Sequence, residues 1–280
     1  MNEEKLLDGK KLSLKIKKDL CEKVKLLDSK LTLVVISVGN DEASKVYVSQ
    51  KEKMALAVGY NFKNLHFDHI DEDSLINEIK KLNLDPDVTG VIVQLPLPDY
   101  LNKDKILNCV SYLKDVDGLT NLNLLKLVKK EKSLVPCTPK GIVTLLDEYN
   151  IDLVGKKVVV VGRSELVGLP LFHLLLHKNA TITLCHSKTF DLENYTKEAD
   201  VLIVAVGKNE LIKKDMIKEG CILVDVGIHR NLDNKLTGDC EKCCIDKSSM
   251  MTPVPGGVGP MTVISLMENV YEAYFLQQEK

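Results

Sequence analysis

Residues 157–176 read KVVVVGRSELVGLPLFHLLL, and the order of the parts decides the fold. Val158–Val161 is a short, continuous apolar run. It reads as a strand buried on both faces, the kind found in parallel sheets. Gly162 ends it, Arg163-Ser164-Glu165-Leu166-Val167 follows, and Gly168 opens a helix to His177. A loop that leaves a parallel strand and opens a helix offers free backbone N–H groups and partial positive charge to a phosphate. Glycines let the backbone approach that phosphate closely. The stretch therefore predicts a dinucleotide-binding unit. It is not the common GxGxxG pattern, since only its first and last glycines, six apart, are present. A tight strand-to-helix turn needs glycine with or without a ligand, so the loop alone leaves both readings open.

The pattern repeats outward. Strands are predicted over Lys157–Gly162, Ala180–Cys185, Val201–Val206 and Cys221–Val226, a spacing that suits a doubly wound parallel sheet. Upstream, strand Leu31–Val38 precedes a helix from Asp41 to Val58, with Asn40 or Asp41 as N-cap and Gly59 as its stop. Strand Asn61–Phe67, helix Ser74–Leu82 and strand Thr89–Gln94 follow, the last ended by Leu95-Pro-Leu-Pro98. Thr138–Tyr149 reads as a connecting helix with Pro139 in its first turn. A last helix, Gly259–Phe275, follows the loop Thr252–Pro260. The fold class is therefore α/β with two α/β domains, the second Rossmann-like, and a C-terminal helix that returns to the first.

Composition excludes several classes. A chain of 280 residues suggests about two domains. With 38 basic against 40 acidic residues, the net charge of −2 lacks the footprint of a nucleic-acid binder. The cluster Lys10-Lys11-Leu12-Ser13-Leu14-Lys15 fits the solvated face of a helix. The start, Met-Asn-Glu-Glu-Lys, lacks a signal-peptide pattern. No apolar run approaches the ~18 residues of a membrane span. A cytoplasmic protein is expected, with its eight cysteines as reduced thiols. Cys240, Cys243 and Cys244 lack the second ligand pair of a zinc site, so no metal is expected and they read as ordinary loop thiols.

Candidate site residues sit where the strands end. The second strand of the Rossmann-like half runs into Cys185-His186-Ser187-Lys188, with no carboxylate before Asp191. An acidic residue there would take an NAD ribose. Arg163 and Ser187, with a weaker case for Lys188, suit a 2′-phosphate instead, which favours NADP. In the first half, Ser44, Tyr47 and Lys51 share one helix face at offsets of three and four. Lys45, Lys51, Glu52 and Lys53 keep a plain solvated face open as the alternative. Gln94 lies at the carboxyl end of a strand, where ligands bind in open α/β sheets. Lys114-Asp115-Val116-Asp117-Gly118 carries two carboxylates, or is simply an Asp-Gly turn.

Six stretches in order carry a resemblance over nearly the whole chain. They are Val38-Gly-Asn with Ser44, Tyr47 and Lys51, then Gln94-Leu-Pro-Leu-Pro98, Lys114–Gly118, Pro136-Cys-Thr-Pro-Lys-Gly141, Val161–Pro170 and Thr252–Thr262. Together they resemble the bifunctional methylenetetrahydrofolate dehydrogenase/methenyltetrahydrofolate cyclohydrolase family, the bacterial FolD type. The resemblance implies a folate-binding catalytic domain over residues 1–139, completed by helix 260–280, and an NADP-binding domain over 140–259. It implies that Lys51 is the main cyclohydrolase residue, positioned by Tyr47 and Gln94. Asp117 would hold the pterin ring, with Pro255 and Gly256 in a backbone wall of the folate cleft. Gly162, Arg163, Ser164 and Ser187 would hold NADP, and Ile228 and Thr262 would lie near the nicotinamide. Tetrahydrofolate derivatives are the implied substrates, and a homodimer the implied assembly.

Two stretches depart from the family pattern: Ser111-Tyr-Leu113 lacks a proline, and Gly238-Asp239-Cys240 replaces Gly-Asp-Val. Two other functions remain for the sequence: a dehydrogenase without the cyclohydrolase step, and a non-catalytic NADP-binding module.

Overall fold

The computed structural model describes residues 3–230 and 235–279. In chain order the elements are α1 (Gly9–Lys25), β1 (Thr32–Val38), α2 (Glu42–Val58), β2 (Asn61–Phe67), α3 (Glu72–Leu84), β3 (Gly90–Val93), α4 (Lys103–Leu107), α5 (Asn121–Val128) and α6 (Cys137–Glu148). Then come β4 (Lys157–Val161), α7 (Gly168–His177), β5 (Thr181–Cys185), α8 (Leu192–Thr196), β6 (Val201–Val204), β7 (Ile222–Asp225), β8 (His229–Arg230), β9 (Leu236–Thr237), β10 (Met250–Met251) and α9 (Val258–Gln278). The chain divides into two compact units. One holds Lys15–Cys137 with Val263–Lys280; the other holds the residues up to Leu14 with Thr138–Thr262.

The first of these units is built on a parallel sheet ordered β2-β1-β3. Every residue of the central strand β1 is buried, as its unbroken apolar run requires. The Asp41 side chain accepts from Ser44 N and caps α2, and Gly59, at φ 98°, ends it in the left-handed conformation. Helix α3 starts earlier than its apolar periodicity indicates, because Asp71 caps it by accepting from Ser74 N. Residues 263–278 of α9 belong to this unit, as the returning helix required. There the Tyr60 hydroxyl donates to Met267 O at 2.8 Å. Gln277 Nε2 donates to Thr89 O and Leu113 O.

The other unit is built on five parallel strands ordered β10-β7-β6-β4-β5. Strand β4 pairs with β5 on one side and β6 on the other. The chain thus reverses its direction of travel across the sheet at β4, the switch point beyond whose carboxyl end open α/β sheets bind ligands. Gly162 leaves β4 at φ 128°, and a Cβ there would meet Ala205 O at 2.2 Å. A Cβ on Gly168 would meet Gly162 O at 2.0 Å. The two glycines therefore let the loop press against the chain leaving β6 and against its own start, which no larger residue allows.

Some elements left no sequence signal. The β8–β9 ladder and β10 are two residues per strand, too short for a period to show. Cys240 and Cys244 are not loop thiols: they are buried in one apolar cluster with Cys185 and Cys221. Burial pushes the thiols of Cys221 and Cys244 up to about 12. Among the described residues no three His, Cys, Asp or Glu side chains are grouped to hold a metal, and no helix is long and apolar enough to cross a membrane.

Gly155 (φ 68°) has open space around it, and Gly162 does not. Gly155→Ala is expected to cost roughly 1 kcal/mol of backbone strain. Gly162→Ala adds a clash with a backbone oxygen and should cost roughly 3 kcal/mol or more. Urea unfolding of both variants measures the gap.

Candidate active site

In the three-stranded unit the central pair is Lys51 and Gln94. The packed stripe of α2 runs through Val48, Ala55 and Val58, all buried. Lys51 falls in that stripe, at offsets of three from Val48 and four from Ala55, and is half-buried. Gln94 follows β3, is buried, and continues the ladder through its own N–H to Ile36 O at 2.8 Å. Its Nε2 donates to Leu95 O at 2.6 Å, which turns Oε1 toward α2 to accept from Lys51 Nζ at 2.9 Å. The plain solvated face is therefore wrong for Lys51 and right for Lys45 and Lys53, which are exposed. Tyr47 lies one turn before Lys51 and is 48% exposed.

The two carboxylates of Lys114–Gly118 have different fates. Asp115 is buried and accepts from Leu119 N, Thr120 N and Asn123 Nδ2. Burial nevertheless pushes its carboxyl up. Lys114 is also spent on structure, donating to Leu82 O and Asp85 O. Asp117 alone is left half-buried and available. The next residue, Gly118 (φ 72°), packs where a Cβ would meet Pro136 N and Val135 C at 2.6 Å.

In the five-stranded unit the expected cofactor residues cluster at the carboxyl ends of β4, β5 and β7. Arg163, Ser164 and Ser187 are exposed there. Ser164 Oγ accepts from Val167 N at 3.2 Å and shapes the entry to α7. Ile228 is 48% exposed, just past β7. Thr262 Oγ1 is 3.0 Å from Thr138 Oγ1. Pro255 follows a cis peptide bond, and Gly256 O accepts from Lys10 N at 2.8 Å. The expected folate residues thus fall in both units: Tyr47, Lys51, Gln94 and Asp117 in one, Pro255 and Gly256 in the other.

Comparison with known proteins decides the family. The catalytic domain of tetrahydrofolate dehydrogenase/cyclohydrolase matches residues 7–117, and the NAD(P)-binding domain of the same enzyme matches residues 136–278. The chain belongs to the tetrahydrofolate dehydrogenase/cyclohydrolase family. A family member named bifunctional protein FolD, from Agathobacter rectalis, is 46% identical over 96% of this chain and 98% of its own. The crystal structure of the bifunctional FolD enzyme of Campylobacter jejuni superposes with a TM-score of 0.96, at 44% identity, covering 97% of this chain and 99% of that one. The Trypanosoma brucei enzyme, solved with NADP and an inhibitor, gives a TM-score of 0.92 at 30% identity over 100% of both chains.

Within this family member, sequence reasoning missed the residues that hold the site from behind. Asn269 on α9 is fully buried, and its Nδ2 donates to Val116 O and Val135 O, both at 2.8 Å. It ties the loop that carries Asp117 to the segment before α6. A lone Asn inside an apolar helix was the signal, since a buried amide needs partners. Asn269→Leu keeps the γ-branched shape and removes the donor. It leaves Val135 O without this donor and Val116 O with only the weaker Cys137 thiol, and should cost about 1–3 kcal/mol in chemical denaturation.

Proposed function

We propose that the protein oxidises 5,10-methylenetetrahydrofolate to the 5,10-methenyl form with NADP+, then hydrolyses that product to 10-formyltetrahydrofolate. The single observation that carries this reading is the Lys51–Gln94 hydrogen bond, which holds an amine at 2.9 Å from an amide oxygen at the carboxyl end of β3. Hydride transfer alone needs orientation, because the folate nitrogen lone pair and the nicotinamide supply the electronics. Hydrolysis of a methenyl cation needs more: water must lose a proton as it attacks, and the resulting tetrahedral carbon must open. A lysine amine with a fixed neighbour can handle that proton. Gln94 keeps the amine in one place, and Tyr47 offers a phenol one turn away. Asp117 is the carboxylate left available for the donor groups of a pterin ring.

The cofactor residues fit NADP. Gly162 and Gly168 leave a bare backbone cradle at the head of α7. Exposed Arg163 and Ser187 supply a cation and a hydroxyl for the 2′-phosphate. When bound, NADP+ accepts the hydride. The domain roles follow: residues 1–139 with 260–280 bind folate, and 140–259 bind the nucleotide. Ile228 and Thr262 flank the nicotinamide.

We further propose a cytoplasmic homodimer. All eight cysteines are free thiols, as a reducing compartment leaves them. Apolar side chains are exposed on α7, at Leu169 and Leu176, and in the loop after the edge strand β5, at Phe190.

Mixing the protein with 5,10-methylenetetrahydrofolate and NADP+ should raise NADPH without lasting accumulation of the methenyl compound. If no NADPH forms, the assignment fails; if the methenyl compound hydrolyses no faster than in buffer, only the dehydrogenase remains. Lys51→Met should lower hydrolysis by about 100-fold or more while NADP+ affinity stays near normal. Arg163→Ala should lower kcat/KM for NADP+ by about 10- to 100-fold, the worth of a charged hydrogen bond, and change that for NAD+ little.

A further inference from the structure

The cofactor-binding unit contains two buried carboxylates that the proposed reaction does not use. Asp239 is fully buried. It accepts from Val206 N at 2.8 Å, Gly207 N at 3.2 Å and Lys208 N at 2.8 Å, the three amides that leave β6. It also meets His229 Nε2 at 2.7 Å. Both Asp239 oxygens already accept from backbone N–H groups, so the imidazole is taken as the donor. Asp225, at the end of β7, accepts from Gly227 N, Asp239 N and Cys240 N at 2.8–3.0 Å. Burial pushes its carboxyl up to about 6, against the pull of those three N–H groups.

The two acids lock together through glycines. A Cβ on Gly227 would meet the Asp239 carboxyl at 2.4 Å, and one on Gly238 would meet Asp225 Oδ2 at 1.9 Å. Ile228 sits between Gly227, which abuts Asp239, and His229, which donates to it. A residue whose apolar side chain is left 48% exposed is thus held on both sides by one buried carboxyl group.

We propose that His229 and Asp239 are positioning residues for the nicotinamide end of the cofactor, fixing Ile228 and the 206–208 loop relative to each other. The inference rests on the proposed function, in which Ile228 lies near the nicotinamide. Asp239 keeps its three amide donors without His229, so the loop after β6 stays in place. What is lost is one of the two holds on Ile228. Hydride transfer is sensitive to small misplacement of the ring, whereas hydrolysis at Lys51 does not use that ring.

The test uses the full-length protein and three variants: His229→Ala, His229→Phe, which keeps a ring without a donor, and His229→Gln, which keeps an N–H. Dehydrogenase activity is read as NADPH formation. Cyclohydrolase activity is read separately, as decay of methenyltetrahydrofolate without nucleotide. Ala and Phe should lower dehydrogenase kcat by roughly tenfold, with a smaller change in KM for NADP+, and leave the cyclohydrolase rate unchanged. Gln should recover most of the loss. Unchanged dehydrogenase kcat in both Ala and Phe overturns the proposal. So does a parallel fall of both activities that Gln does not rescue, since His229 would then serve stability alone. If the unaltered protein forms no NADPH, the underlying reading fails and takes this one with it.

Discussion

The contact on which the account turns is the hydrogen bond from Lys51 Nζ to Gln94 Oε1. A long flexible amine is worth little to catalysis unless something holds it, and a surface lysine is held by nothing. Here the holding begins in the backbone. Strand β1 is buried along its length and sets the register of β3, so the ladder bond to Ile36 places Gln94 at the sheet's carboxyl end. The bond from Gln94 Nε2 to Leu95 O then settles which end of the amide faces α2. Lys51 reaches it because it occupies a position in α2 that packing would otherwise give to an apolar residue. Each step is ordinary, and together they turn an exposed-looking sequence position into a fixed one.

The nucleotide-binding unit follows the same logic with different means. Its fixed groups are backbone amides, and the devices that fix them are glycines and buried carboxylates. Gly162 lets the loop after β4 press against the chain leaving β6, and Gly168 lets α7 start against Gly162. Asp225 and Asp239 gather the amides leaving β6 and β7 into one knot. Those buried acids are tolerated because each has several N–H donors, which offset the cost of taking a carboxylate out of water.

The fold was legible because parallel strands buried on both faces read as unbroken valine, leucine and isoleucine runs. Strands β1, β3, β4, β6 and β7 announce themselves this way. Gly59 and Asp41 marked the ends of α2 correctly because capping is local chemistry. The elements without a signal are those held by long-range contacts, such as β10 and the β8–β9 ladder. The site was legible where residue type and strand end coincide, as at Gln94 and the Gly162 loop. Lys51 was ambiguous, since a helix periodicity places it but cannot say which face is packed. Lys114 and Asp115 show the limit most clearly. They flank Asp117 in one motif, yet only the tertiary structure reveals that they hold the backbone. Asn269 and Asp239 are far in sequence from the groups they fix, so no local pattern reports them.

The most direct test of the central claim is a crystal structure of the protein with a non-hydrolysable analogue of 5,10-methenyltetrahydrofolate. Density should show the one-carbon bridge within hydrogen-bonding reach of Lys51 Nζ, the Lys51–Gln94 bond intact, and the pterin ring donating to Asp117. An analogue bound with its one-carbon bridge away from Lys51, or with Asp117 free of the ring, would contradict it.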